Sequence, residues 1–221
     1  MSETASAEGR PATKGRRIPA KAILWGLAAL VVAAMAIDTT YREPGERTAA
    51  GEAAFDPERF GRANFAPKVV PALEKQAREI TELIPALREN DQAASQRYGH
   101  REGNSPFNFP VKGEGVAGKP ESGLMPVKVE GLDGTQVSIQ IGPAINGTAL
   151  RDATGLIRFN QFVNQVDYAE AATALNNEVK RRVLAPLDPE TLAGKRVTFL
   201  GAFTFLAPSN VVITPAQLEA R

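Results

Sequence analysis

Hydrophobic positions along this chain fall into three rhythms, each predicting a different element. From Ala22 to Ile37, sixteen residues carry no charge and nearly all are Ala, Leu, Val or Ile; Lys14, Arg16, Arg17 and Lys21 precede them and Asp38 closes them. Such a run suits the hydrocarbon interior of a bilayer. Between Lys68 and Asn90 the period is helical: Val70, Leu73, Ala77, Ile80, Ile84 and Leu87 recur at three- and four-residue steps, with Glu74, Lys75, Arg78, Glu79 and Glu82 on the other face. Pro71 fits the first turn. Pro85 lacks a donor and crowds the preceding turn, which predicts a kink or break near Leu83. Upstream, Asp56-Pro57-Glu58 forms a helix start; downstream, Asn90-Asp91 caps a short helix reaching Tyr98.

The period then falls to two. Phe107 to Val111 alternates, as do Pro126 to Glu130 around Val127 and Val129, and Thr135 to Ile141 around Val137, Ile139 and Ile141. Gly113, Gly115 and Gly118 punctuate the first strand and predict bending, while Asp133-Gly134 predicts a tight turn. After Asp167 the helical step returns with Tyr168, Ala172, Leu175, Val179 and Val183; Lys180, Arg181 and Arg182 suit its C-terminus, and Pro186 ends it. Val197 to Leu206 carries Phe199, Phe203 and Phe205, and Val211 to Ile213 forms a last strand ahead of a polar tail. The sum is an α+β domain: a small antiparallel sheet, closed into a barrel, with helices before and within it, preceded by an N-terminal membrane segment.

The chain divides into a basic cytoplasmic leader (1–21), a transmembrane anchor or signal-peptide core (22–37), a linker of Thr, Arg, Glu, Pro and Gly (38–54), and the α+β domain (55–221). A spanning helix needs about 20 apolar residues and a signal-peptide core about 7 to 15 before a small-x-small site. Ala34-Met35-Ala36 offers such a site, and Ile18 to Ala20 lengthens the run toward a span, so both readings stand. Positive charge stays on the cytoplasmic side, so either reading exports the domain: an inner-membrane protein with a periplasmic C-terminal domain, or a periplasmic protein after cleavage.

Composition narrows the chemistry. The 26 basic residues balance 25 acidic ones, so with the leader set aside the domain is near neutral and nucleic acid is not an expected partner. The absence of Cys removes disulfides, thiol nucleophiles, thiolate metal sites and lipid attachment through Cys. His100 is the single histidine, in a polar, glycine-punctuated loop, so a multi-histidine zinc site is excluded. Neither metal nor cofactor is implied.

The densest patch of special residues runs from Gln140 to Asp152. Gly142-Pro143 ends a strand, Gly147 makes a turn, Thr148 caps the next segment, and Arg151 and Asp152 stand where they pair or meet a ligand. Beyond it, amides alternate with apolar residues from Phe159 to Gln165. Carboxamides both donate and accept, so Gln140, Thr148, Arg151, Asp152, Asn160 and Gln165 are the candidates for binding a polar neutral molecule or a partner. The same amides equally serve to satisfy backbone groups in an irregular turn.

Ile141-Gly142-Pro143, Gly147-Thr148-Ala149-Leu150-Arg151-Asp152, Phe159, Asn164-Gln165, Gly194 and Gly201-Ala202-Phe203 resemble the domain-of-unknown-function family 2291, described as predicted periplasmic lipoproteins. Asp56-Pro57, Val70-Pro71-Ala72-Leu73 and Gly113-Glu114-Gly115-Val116 agree with it too. The resemblance implies an OB-like barrel, a setting beside sugar ABC importers, and no established activity. This chain departs from it in having no Cys to lipidate, and where the family tends to carry an aromatic, often Trp, before Val-Pro-Ala-Leu, Phe65 is the nearest candidate.

The chain supports three functional readings. The first is a non-enzymatic, membrane-anchored or exported envelope protein that assists a sugar ABC uptake system by binding a transporter subunit or a sugar-like solute. The second is a periplasmic hydrolase using Asp152 and Glu114 as acid and base. The third is a structural envelope scaffold binding another protein along the Val70 to Leu87 stripe.

Overall fold

The computed structural model describes residues 54–220, together with Leu30, Val31 and Ala33. The leader, the linker through residue 53 and the rest of the apolar run lie outside the described residues, and so do the anchor and signal-peptide readings. Among the described residues, no helix is long and apolar enough to cross a membrane.

Helix α1 (Pro57–Asn64) opens as the sequence predicts: Asp56 accepts a hydrogen bond from the Arg59 amide at 3.0 Å, and Pro57 takes the first turn. A π turn (Phe65–Val69) leads into α2 (Val70–Gln76). The expected long helix then breaks, but at Ala77–Glu79 and not at Leu83. Arg78–Glu79 forms a two-residue strand, β1, that pairs in parallel with Val111–Lys112. Helix α3 (Ile80–Glu89) follows with Pro85 inside it. Pro85 is on the exposed face, where water can serve the carbonyl its missing N–H leaves free. Helix α4 (Asp91–Tyr98) starts at the Asn90 cap, whose side chain accepts from the Ala93 amide.

Five strands then close a barrel: β2 (Asn108–Ala117), β3 (Leu124–Lys128), β4 (Gln136–Gln140), β5 (Arg196–Thr204) and β6 (Asn210–Ala220). The neighbour order is β2-β3-β4-β6-β5, and β5 pairs back onto β2, which closes the ring; the stretch of the β2 edge that β3 does not reach takes up β1. All pairings in the ring are antiparallel except β4 with β6, which run parallel. The connection from β3 to β4 is longer than a two-residue turn, with Gly131 and Gly134 both at positive φ. The expected polar tail is absent as such: Thr214 to Ala220 continues β6 and pairs with β5, whose backbone supplies the ladder partners.

Phe109 and Phe203 lie directly opposite in the β2–β5 ladder, stacked with ring centres 5.4 Å apart, and both are fully buried. Asn108 to Val111 is buried without alternation because α2 and α3 cover the outside of that half of β2. Leu73, Ala77, Ile80, Ile84 and Leu87 all face this core. The stripe offered as a scaffold's docking face is therefore covered by the domain itself.

Between β4 and β5 lie a one-turn helix, α5 (Ala149–Asp152), a 3-10 turn (Phe159–Gln161), and α6 (Gln165–Val179), which runs on through a π turn (Lys180–Leu184). Helix α6 begins two residues before Asp167, because Asn164 caps it by accepting from the Asp167 amide at 2.9 Å. It packs on α1 where Gly61 has no side chain to hold it off.

Candidate functional site

The Gln140–Asp152 patch separates into two parts with different work. Gln140, at the end of β4, donates from Nε2 to the Asn146 carbonyl and to the Thr214 hydroxyl, and its Oε1 accepts from the Asn146 amide. All of its capacity goes to holding the 141–147 loop on β6. Gly142 and Gly147 adopt φ of +91° and +94°, a region that favours glycine, and the Gly142–Pro143 bond is cis. Asn176 of α6 donates to the Gly147 carbonyl at 2.9 Å. Thr148 precedes α5, but its hydroxyl makes no cap; its backbone carbonyl accepts from the amides of Arg151 and Asp152 instead.

Arg151 and Asp152 form the second part, and they pair. The guanidinium meets the carboxylate two-pronged, Nε to Oδ1 at 2.7 Å and Nη2 to Oδ2 at 3.0 Å, with both side chains under one tenth exposed. Nη1 donates to the Tyr168 carbonyl at 2.8 Å, and the guanidinium carbon lies over the Tyr168 ring, 3.4 Å from its centre. The Tyr168 hydroxyl in turn donates to Asp152 Oδ1 at 2.9 Å. Burial first, and the neighbouring Asp152 charge next, push Tyr168 ionisation well above the ordinary tyrosine value. The hydroxyl therefore stays protonated and remains a donor.

Above this knot opens a hollow of about 370 Å³ whose wall includes Asp152, Tyr168, His100, Arg158, Phe159 and Asn160. His100 is not a free loop residue. Its backbone bridges to Asn108, and its Nε2 lies 3.1 Å from Gln76 Oε1. Burial, and then the nearby Arg158 charge, hold the imidazole below its ordinary value, so it is neutral at pH 7. Among the carboxamides after Phe159, Gln161 is used locally, accepting from the Arg158 amide and donating to the Leu156 carbonyl, and Asn164 caps α6. Asn160 and Gln165 make no side-chain hydrogen bond among the described residues. Asn160 lines the hollow; Gln165, on the first turn of α6, does not, and neither do Gln140 and Thr148.

The two carboxylates of the hydrolase reading are kept apart by use. Glu114 is half exposed on β2, 3.2 Å from Arg196, and lines hollows bounded by Glu79 and Thr81. Asp152 has both oxygens engaged by Arg151 and Tyr168. Among the described residues no cluster of acidic or histidine side chains could hold a metal.

The family profile of predicted periplasmic lipoproteins, DUF2291, matches residues 27–219 of this chain. The chain belongs to the DUF2291 family. Its fold is similar to that of an OB-fold protein from Thermotoga maritima, with a TM-score of 0.65 at 23% identity over 76% of this chain and 100% of that one. Among curated proteins none matches. The family places this DUF2291 protein in the periplasm or envelope. With no Cys among the 221 residues, none of them can bear the thioether-linked lipid that the word lipoprotein implies. Phe65, the nearest aromatic before Val70-Pro71-Ala72-Leu73, is buried in the core.

Tyr168, His100 and Arg158 were not singled out as site residues by the sequence pattern. Tyr168 reads as one apolar position of α6, and its hydroxyl and carbonyl acquire their role only because α5 brings Arg151 and Asp152 beneath it. The Arg151-Asp152 dipeptide, two charged residues directly after the apolar Ala149 and Leu150, was the one legible signal.

Proposed function

We propose that this DUF2291 protein is a non-enzymatic envelope module, anchored by the 22–37 run with its domain on the periplasmic side. Its hollow over Asp152 takes a small hydroxylated solute of sugar size on behalf of a sugar ABC uptake system. The observation that carries the reading is the hollow itself. At about 370 Å³ it falls at the small end of the range for ligand sites. Its wall combines an aromatic ring, Phe159, with two groups that both donate and accept, the uncommitted Asn160 amide and the neutral His100 ring, and with the Arg158 guanidinium, which only donates. Below them, the Arg151-Asp152-Tyr168 knot holds the floor rigid, a supporting role that a buried, fully paired charge performs better than direct contact with a solute. The setting beside sugar importers that the family resemblance implies agrees with this chemistry.

The test is a thermal-shift and calorimetric screen of the full chain against pentoses, hexoses and polyols. A bound solute at about 100 times its Kd stabilises the folded state by about 2.7 kcal/mol. The expected result is a rise in Tm with one such class, lost in Asn160→Ala and Arg158→Ala while their Tm without solute stays unchanged. No shift with any of them at millimolar concentration overturns the solute reading.

A further inference from the structure

We propose that the folded domain carries its own contact with the lipid bilayer: Leu156, Phe159, Val163 and Val166 seat in the bilayer surface beside the point where the chain enters the domain. The proposal rests on the reading of the 22–37 run as a tether.

Six large apolar side chains are exposed among residues 54–220, and four of them fall between 156 and 166. Val163 is 75% exposed and Val166 65% exposed. Val163 occupies the position before the Asn164 cap, where an apolar residue ordinarily folds back onto the helix four residues past the cap, here Tyr168. Phe162 makes that contact instead, 5.3 Å from the Tyr168 ring, and Val163 is left outward. Unpaired apolar surface concentrated in this way marks a contact face.

The chain itself says which face it meets. Phe55, at the start of the described domain, packs on Phe60 and Phe162 with ring centres 5.4 and 5.5 Å away, so the segment arriving from the apolar run joins the domain at this patch. The seventeen residues from Asp38 to Ala54 span at most about 60 Å fully extended, which keeps the patch within reach of any bilayer that holds 22–37. Cations rim it. Lys68 and Leu156 line one recess of about 330 Å³, and Arg101 and Arg158 line the hollow together with Phe159, against the single exposed carboxylate of Glu102. None of these three cations forms an ion pair among the described residues. An apolar patch with a cationic rim suits the boundary between acyl chains and anionic headgroups. In this pose the solute hollow opens at the membrane surface, next to where a permease would receive its cargo.

The chain's lack of Cys makes the test direct. Full-length Val163→Cys and Glu121→Cys variants, each spin-labelled, are reconstituted in vesicles of phosphatidylethanolamine and phosphatidylglycerol. Collisions with oxygen and with a water-soluble nickel chelate are then measured. At 163 the nickel-to-oxygen ratio should fall about fivefold or more relative to 121, which stays in water, and the fall should shrink when phosphatidylcholine replaces phosphatidylglycerol. A label at 163 as open to nickel as that at 121 overturns the proposal. So does one shielded from both reagents, the mark of a second copy or another protein on the patch. Trp25, the chain's single tryptophan, reads the tether separately through quenching by brominated acyl chains. Quenched Trp25 with a wet label at 163 removes the patch contact and leaves the anchor; unquenched Trp25 with a lipid-exposed label removes the anchor and leaves the patch contact.

Discussion

The guanidinium carbon of Arg151 lies over the ring of Tyr168, 3.4 Å from its centre, while Nη1 donates to that residue's backbone carbonyl at 2.8 Å. One guanidinium thus ties the start of α6 to the end of α5, and the Asp152 carboxylate between them closes the knot. No buried side-chain nitrogen or oxygen among the described residues lacks a partner, so the knot is satisfied as it stands.

Removing one member should therefore be costly. Arg151→Ala leaves the Asp152 carboxylate buried with only the Tyr168 hydroxyl, and the expected loss is about 3 kcal/mol or more. Urea unfolding should show a lower midpoint with an unchanged slope. A loss below about 1 kcal/mol would mean that the pair is free to serve a ligand directly.

Tyr168→Phe keeps the ring under the guanidinium and deletes one hydrogen bond to a charged group, with an expected cost of about 1.5–3 kcal/mol. Because the folded-state value of Tyr168 is raised, its contribution is complete below the unfolded value near 10 and declines as pH climbs past it. Wild type should lose stability between pH 10 and 11 more steeply than Tyr168→Phe. Parallel curves would argue against a buried, donor hydroxyl.

Glu178 of α6 tests the acid limb. Burial drives its carboxyl upward, yet hydrogen bonds at 2.6 Å from both Arg181 and Arg182 outweigh that and hold it below the usual value. A lowered folded-state value contributes stability above the unfolded value of about 4.5, and this is lost as pH falls through the folded one. Glu178→Gln should flatten the loss of stability below pH 4.5, measured by urea midpoints across pH 3 to 6, at a cost near neutral pH of about 1–3 kcal/mol.

Gly61→Ala probes the contact between α1 and α6. A Cβ there would lie 2.9 Å from the Ala174 carbonyl oxygen and 3.3 Å from Glu178 Cγ, and the first of these is backbone that cannot step aside. The helices must part, at a cost of about 1–3 kcal/mol. An unchanged Tm would show that α1 yields without loss.

How much of this was legible from residues alone depends on the range of the interaction concerned. The Asp56 and Asn90 caps, the strands around Val111, Val127 and Val137, and the α+β sum were readable, since caps act over a turn and alternation over a few residues. The break at Ala77–Glu79 was not. An inward pair three residues apart, Ala77 and Ile80, looks the same in a helix as on either side of a two-residue strand, and the backbone left the helix only because the β2 edge offered partners. Thr214 to Ala220 looked like a tail for the same reason: its strand character comes from β5.

By itself, then, the sequence determined the helix caps, the alternating strands and the α+β class, that the chain has no thiol chemistry, and that its N-terminal run suits a membrane, because composition and periodicity are local properties. Only the tertiary structure decided what the special residues do. It turned Gln140 inward to clamp a loop, buried Arg151 and Asp152 against Tyr168, and brought His100, Arg158 and Asn160 around one hollow. Those outcomes depend on burial and on partners distant along the chain, which no spacing encodes.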